Sequence, residues 1–334
     1  MTDTGGRALI FRRFGDPAEV LALEAQPAPA PAAGEAVVAM THRSINPSDL
    51  IPITGAYAHR VAPPRIAGYE GVGIVERAPG GSALAPGDRV LALRGSGTWA
   101  SRVTAPASFC VAVPAAISDE AAAQAYINPL TAWALLAHEL ALPAGAVIAI
   151  DAAGSAFGAC VLAFARRHGW QVVAVTTAAA RTGALQAAGA AAVVVTEAGE
   201  PAVELAVRLR RAAGGRIDAG LDAVGGEIGT GVALAVSAGG AFRFYGLLSG
   251  RSLGAGLAGE VASGVTVRPF WLRHWQDQAG ADAWRDGFAE IFDAIRSGDL
   301  CLPAEAAFAL DDWRAALAAA GRRDRRGKIL LTGG

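Results

Sequence analysis

Ile148-Ala149-Ile150-Asp151-Ala152-Ala153-Gly154-Ser155-Ala156-Phe157-Gly158 is the stretch on which the fold turns. A short apolar run gives way to small residues, and an apolar helical pattern follows over Ala156–His168. Small residues permit a tight strand-to-helix turn, and the helix N-terminus offers free N–H groups and positive dipole. Such a turn suits a pyrophosphate. On a GxGxxG template the glycine places fall on Ala153, Ser155 and Gly158, so two of the three depart from glycine. The competing reading of these residues alone is an ordinary helix start, packed with small side chains.

The surrounding rhythm decides between them. Val147–Ile150, Val172–Val175, Ala192–Val195, Ala219–Leu221 and Ala241–Tyr245 are compact apolar runs. Ala156–His168, Ala179–Ala188, Pro201–Ala213 and Ile228–Ser237 suit the helices between them. Buried strands alternating with helices predict a parallel, doubly wound sheet. From Arg7 to about Ala122 the pattern is different: short apolar runs such as Ala36–Met40, Val72–Val75 and Arg89–Leu93 are divided by Pro and Gly, which predicts a β-rich domain. Gln26–Gly34 is a low-complexity surface loop within it. Past Pro269 a helix over Asp282–Ser297, another over Asp311–Ala320 and a strand over Lys328–Thr332 return to that first domain. The expectation is an α/β chain whose β-rich domain spans residues 1–124 and 267–334, with a Rossmann domain of residues 125–266 inserted.

Composition narrows the partners. The 334 residues carry 29 Lys plus Arg against 30 Asp plus Glu, which gives no overall attraction to nucleic acid or to anionic lipid. A small-molecule enzyme is the expected class. Cys110, Cys160 and Cys301 lie too far apart for a CxxC pair or a disulfide framework, so a reducing cytoplasm is the expected compartment. No signal peptide is visible in the short polar segment Met1–Arg7, and no apolar run is long enough to span a bilayer.

After the second strand comes Thr176-Thr177-Ala178-Ala179-Ala180-Arg181, with no acid at the strand end to accept ribose hydroxyls. An acid there favours NAD. Its absence, with Thr177 and Arg181 nearby, favours the 2′-phosphate of NADP, although Arg181 also reads as a cation solvating a helix start.

The β-rich first part, the inserted nucleotide domain and the GxEGxG string over Gly68–Gly73 resemble the medium-chain dehydrogenase/reductase superfamily, whose β-rich catalytic domain is GroES-like. That family's Gly-His-Glu is here Gly68-Tyr69-Glu70, and its catalytic Cys is Asn46. A single nearby cysteine, Cys110, also leaves the four-Cys structural lobe without its ligands. The expectation is metal-independent chemistry, because neither thiolate nor imidazole occupies those ligand places. Within the superfamily Ile45-Asn46-Pro47-Ser48-Asp49, Gly55-Ala56-Tyr57, Gly97-Thr98-Trp99, Asn128-Pro129-Leu130-Thr131-Ala132 and Phe270-Trp271-Leu272 with Trp275 look like the trans-2-enoyl-thioester reductases.

The resemblance implies Tyr57 as proton donor. It implies NADPH contacts at Asn46, Asn128, Thr131, the turn Ser155, Ala156, Phe157 and Gly158, then Thr177 and Arg181. Further contacts are implied at Tyr245, Gly246, Leu247 and Leu248, at Phe270, Trp271 and Leu272, and at Lys328 beside the basic run Arg322–Arg326. Hydride transfer to Cβ of an enoyl-CoA or enoyl-carrier-protein thioester, with protonation at Cα, is the implied reaction. A phenol ordinarily titrates at about 10, which suits a donor at neutral pH. His59 is the rival acid, or a solvated loop residue. Asp49 reads as a helix cap or a coenzyme contact, and Glu70 as a group fixing backbone under the cleft. Two other readings stay open: a quinone or enone reductase using NADPH, and an NADPH-binding protein without turnover. A homodimer joined through the nucleotide-domain sheets is the expected assembly.

Overall fold

The computed structural model describes residues 6–197, 199–254, 263–322 and 325–333. The chain forms two units, Met1–Ile127 with Cys301–Gly334, and Asn128–Leu300. The sequence placed the return to the first domain at residue 267, whereas by its contacts the segment up to Leu300 groups with the inserted unit.

The first unit is built on strands. A three-stranded sheet runs in the order Leu21–Ala25, Arg7–Phe11, Arg65–Ile66. A larger sheet runs Ala304–Ala309, Lys328–Thr332, Glu35–Ser44, Gly71–Arg77, Arg89–Ala92, Cys110–Ala112, with Arg102–Pro106 also paired to Glu35–Ser44. The last strand of the chain therefore lies inside the sheet begun by the first part: Leu330 pairs with Ser44 and Thr332 with His42. One apolar core gathers Leu9, Phe11, Ile53, Trp99, Ile329 and Leu331, all essentially inaccessible. Arg43 is fully buried here with backbone carbonyls as acceptors, those of Met40, Thr98, Ala100 and Gly333. Four carbonyl acceptors satisfy most of its five N–H donors, as a buried guanidinium requires.

The second unit is a six-stranded parallel sheet in the order Ala192–Val195, Gln171–Thr176, Val147–Ile150, Ala219–Asp222, Ala241–Phe244, Thr266–Pro269. This is the doubly wound order, reversing between Val147–Ile150 and its neighbour Ala219–Asp222. Both strands at the reversal are buried at every residue, which is why their sequences read as unbroken apolar runs. Helices Ala156–His168, Thr182–Ala187, Ala202–Ala212 and Gly226–Ala235 connect the strands. The sixth strand, Thr266–Pro269, went unread in the sequence because it is a largely exposed edge with only one apolar β-former. Helices Leu272–Gln278 and Ala281–Ser297 close the unit.

Candidate active site

Because the strands of the second unit are parallel, the segments that follow them emerge along one edge. That edge carries the turn 151–158, Thr177 and Arg181, the loop 245–248 and Phe270–Leu272, so most of the expected coenzyme residues come together within this unit.

The turn is held by its own residues. Ser155 is the N-cap of helix Ala156–His168, its hydroxyl accepting from Gly158 N at 3.1 Å. Gly158 lies so close to the preceding strand end that a Cβ would stand 2.1 Å from the Ala153 carbonyl oxygen. The template's last glycine is therefore sterically required. Gly154, Ser155 and Ala156 are exposed, so the N–H-rich first turn of the helix faces outward and can cradle a pyrophosphate. Arg181 crosses to the same turn, donating from Nη1 to the Gly154 carbonyl at 2.7 Å, and Thr177, past the end of strand Gln171–Thr176, is exposed. A cation thus stands at the exposed helix start, as a 2′-phosphate would require.

Two expected contacts have side chains that turn inward. Phe157 is buried against Tyr245, with ring centroids 4.3 Å apart. The Tyr245 hydroxyl is enclosed beside Asp151 and Asp222. Burial, then the charges of those two aspartates, holds its phenol well above the usual range. Loop 245–249 is fixed by backbone bonds: Tyr245 N, Leu248 N and Ser249 N donate to the carbonyls of Asp222, Ala223 and Val224 at 2.8, 2.9 and 3.0 Å. This leaves Leu247 and Leu248 exposed. Phe270 is buried, its N–H donating to Phe244 O at 2.9 Å, whereas Trp271 is 39% exposed and Leu272 half-buried. Asn128 and Thr131 are half-buried on helix Ile127–Trp133.

The first unit holds the remaining residues. Asn46 precedes helix Pro47–Thr54, and Asp49 Oδ2 accepts from Asn46 N at 2.7 Å while Oδ1 accepts from Tyr69 N at 2.8 Å. Asp49 is a cap, one of the two roles its sequence allowed. Gly55 ends the helix at φ +91°, and Tyr57 follows in the next turn, half-buried on the apolar core. Arg60 lies over the Tyr57 ring at 5.4 Å and His59 meets it edge-on at 6.3 Å, while His59 and Arg60 are themselves exposed.

Behind the helix start lies a buried polar cluster. Asn46 Nδ2 donates to Glu70 Oε1 at 2.7 Å and to Ser44 Oγ at 2.9 Å, and Asn46 Oδ1 accepts from the Lys328 ammonium. Glu70 Oε2 accepts from Ile127 N at 2.7 Å, so this carboxylate does fix backbone. Burial and the nearby Glu70 raise Asp49 to about 7, against the opposing effects of Asn46 and Lys328. Lys328 thus differs from its expected role: its ammonium is buried in this cluster at Asn46, not presented with the exposed Arg322 and Arg326 and the half-buried Arg325. Arg323 and Asp324 of that basic run lie outside the described residues. Asn46 likewise spends its side chain on Glu70, Ser44 and Lys328. Among the described residues no group of three or more His, Cys, Asp or Glu is placed to hold a metal ion, and no helix is long and apolar enough to cross a membrane.

The pair Asp151 and Asp222 went unread in the sequence as site residues. The available signal was an acid closing each of two fully apolar strands, at positions that only the strand order makes neighbours.

Comparison with known proteins agrees with this architecture. Residues 32–115 match the alcohol dehydrogenase GroES-like domain, and residues 188–331 match a domain described as zinc-binding dehydrogenase. The human mitochondrial enoyl-[acyl-carrier-protein] reductase is 28% identical over 332 residues, covering 98% of this chain and 88% of that protein. Its bovine counterpart is 29% identical over 333 residues, with the same coverage. A Bacillus thuringiensis crystal structure designated NADPH:quinone reductase is 37% identical with a TM-score of 0.91, covering 98% of this chain and 99% of that one. The Escherichia coli quinone oxidoreductase complexed with NADPH is 25% identical with a TM-score of 0.87 over the same shares.

Proposed function

Since the chain belongs to the medium-chain dehydrogenase/reductase superfamily and is an oxidoreductase with NADPH as coenzyme, we propose that it reduces the C=C bond of a 2-enoyl thioester. The observation that carries this reading is Tyr57, a phenol half-buried on the apolar core in a chain similar to enoyl reductases along nearly its whole length.

NADPH, when bound, supplies the hydride that adds to Cβ. The exposed first turn of helix Ala156–His168, with Arg181, holds the coenzyme's phosphates. Hydride addition moves an electron pair onto the thioester oxygen as an enolate, which needs hydrogen-bond donors in place of the water it loses. Tyr57 gives its phenolic proton to Cα as the enolate collapses, and the phenolate recovers a proton from solvent. No metal ion is part of this scheme. CoA and acyl carrier protein are the two carriers such a thioester would use.

The test is a parallel assay of crotonyl-CoA and a small quinone, each with NADPH and with NADH. Turnover of crotonyl-CoA with NADPH is expected, and Tyr57→Phe is expected to cut kcat about 10²-fold while leaving the NADPH dissociation constant unchanged. Full activity in Tyr57→Phe would remove the phenol from the mechanism. The higher identity to the Bacillus thuringiensis structure favours a second reading, an NADPH-dependent quinone reductase. Reduction of the quinone alone would select it.

A further inference from the structure

Beneath the dinucleotide turn, three buried polar atoms lie together without a hydrogen-bond partner: Asp151 Oδ2, Asp222 Oδ2 and Tyr245 Oη. The two aspartates are 0% and 1% exposed. They close the adjacent parallel strands Val147–Ile150 and Ala219–Asp222, at the point where the sheet order reverses. Their other oxygens are committed. Asp151 Oδ1 accepts from Ala223 N at 2.8 Å, and Asp222 Oδ1 accepts from Val224 N at 2.9 Å and Gly225 N at 2.8 Å.

Two ionised carboxylates offer only lone pairs to each other, so their contact is satisfied only when one of them carries a proton. We propose that Asp151 and Asp222 act as one positioning unit for NADPH, sharing a single proton whose loss as pH rises loosens the coenzyme site. The pair ties together the turn 151–158 and the segment Ala223–Gly225. Through Tyr245 N on the Asp222 carbonyl and the Tyr245 ring on Phe157, it also ties in the loop 245–248. The turn 151–158 and the loop 245–248 are segments expected to meet the coenzyme, so what separates the two carboxyls spreads the site.

The groups facing the pair agree with a shared proton. Burial first, then the adjoining carboxyl of Asp222 and its charge, holds Asp151 well above the usual carboxyl range. The Tyr245 phenol, which the same surroundings keep protonated, faces both acids from the loop. Helix Gly226–Ala235 presents Gly229, where a Cβ would meet Asp222 Oδ1 at 2.4 Å, and helix Ala156–His168 presents Phe157 to Tyr245. Among the described residues, no cation acts on either Asp151 or Tyr245. For an acid with a raised folded pKa the favourable state exists at low pH and is lost as pH rises through the folded value. Deprotonation then sets two like charges side by side and drives the strand ends apart. The inference rests on NADPH as coenzyme and not on the acceptor, so failure of the crotonyl-CoA assay would leave it standing.

Titration calorimetry of NADPH against the full chain, from about pH 6 to about pH 10, tests it. In wild type the dissociation constant is expected to rise with pH by up to about tenfold per pH unit, the limit for one linked proton. Asp151→Asn keeps an acceptor for Ala223 N and gives Asp222 a permanent donor. It is expected to hold the wild-type affinity of neutral pH to within about twofold, with that rise gone. Asp222→Asn supplies the same donor from the other side and is expected to flatten the profile likewise. Asp151→Leu keeps the size and removes the hydrogen bonds, and weakens binding at every pH. Parallel profiles in wild type and both Asn variants would overturn the proposal. So would Asp151→Leu binding as tightly as Asp151→Asn. Should Asp151→Leu not fold, the two Asn profiles decide alone.

Discussion

At the scale of single residues, Gly158 and Lys328 do work that their neighbours cannot replace. A methyl group at 158 would overlap the Ala153 carbonyl oxygen, so either the helix start or the strand end must shift. Gly158→Ala is expected to destabilise the protein by about 1–3 kcal/mol and to weaken NADPH binding, read by urea midpoint and by calorimetry. Replacing the Lys328 ammonium by Lys328→Met leaves Asn46 Oδ1 without its donor and Asp49 without its nearby cation. A loss of about 3–5 kcal/mol in urea denaturation is expected, the range for removing one partner of a buried charged pair. The same cluster carries a pH signature. Because Asp49 is raised, its contribution is full below the ordinary value of 3.8 and is lost as pH rises to about 7. The Tm of wild type relative to Asp49→Asn should therefore fall across that interval. These roles were only partly legible. Lysine beside a run of arginines looks like an exposed cation, and only the pairing of strand Lys328–Thr332 with Glu35–Ser44 turns it inward.

At the scale of elements, the sequence is clearest where burial is complete. Strands Val147–Ile150 and Ala219–Asp222 are apolar through to their last or penultimate residue because both faces are covered, and their limits were readable to within a residue. Thr266–Pro269 joins the same sheet by backbone pairing, Phe242 with Val267 and its neighbours, with only Val267 packed on the core, and a mostly solvated strand leaves no pattern to read. The departures from GxGxxG at 153 and 155 proved compatible with the turn for a local reason. Ala153 fits a buried strand end, and Ser155 turns a missing glycine into a cap. Ser155→Ala is expected to cost about 1 kcal/mol, measured by thermal denaturation, without displacing the helix. The Asp151–Asp222 contact stayed hidden for the opposite reason. It exists between two elements and belongs to neither, so no window of sequence contains it.

At the scale of the whole chain, the first unit is written in two pieces. Strand Lys328–Thr332 sits between Ala304–Ala309 and Glu35–Ser44, and its Ile329 and Leu331 are fully buried in the core begun by Leu9 and Phe11. A protein ending at Leu300 would leave the His42–Ser44 end of strand Glu35–Ser44 without its partner and that core open. Loss of cooperative unfolding in the first unit is expected, with aggregation in the soluble fraction as the readout. The division into two domains and the insertion were legible from the change of rhythm near residue 125. The return point was not, because helix Ala281–Ser297 has an amphipathic pattern that would suit either partner.

That discontinuity orders events on the ribosome. Residues of Asn128–Leu300 all emerge before the strands that complete the earlier unit, so the parallel sheet can settle while the N-terminal portion waits half-built. At usual rates of translation the delay lasts on the order of ten seconds or more. During it the His42–Ser44 end of strand Glu35–Ser44 lacks its partner, an unpaired edge of the kind chaperones cover.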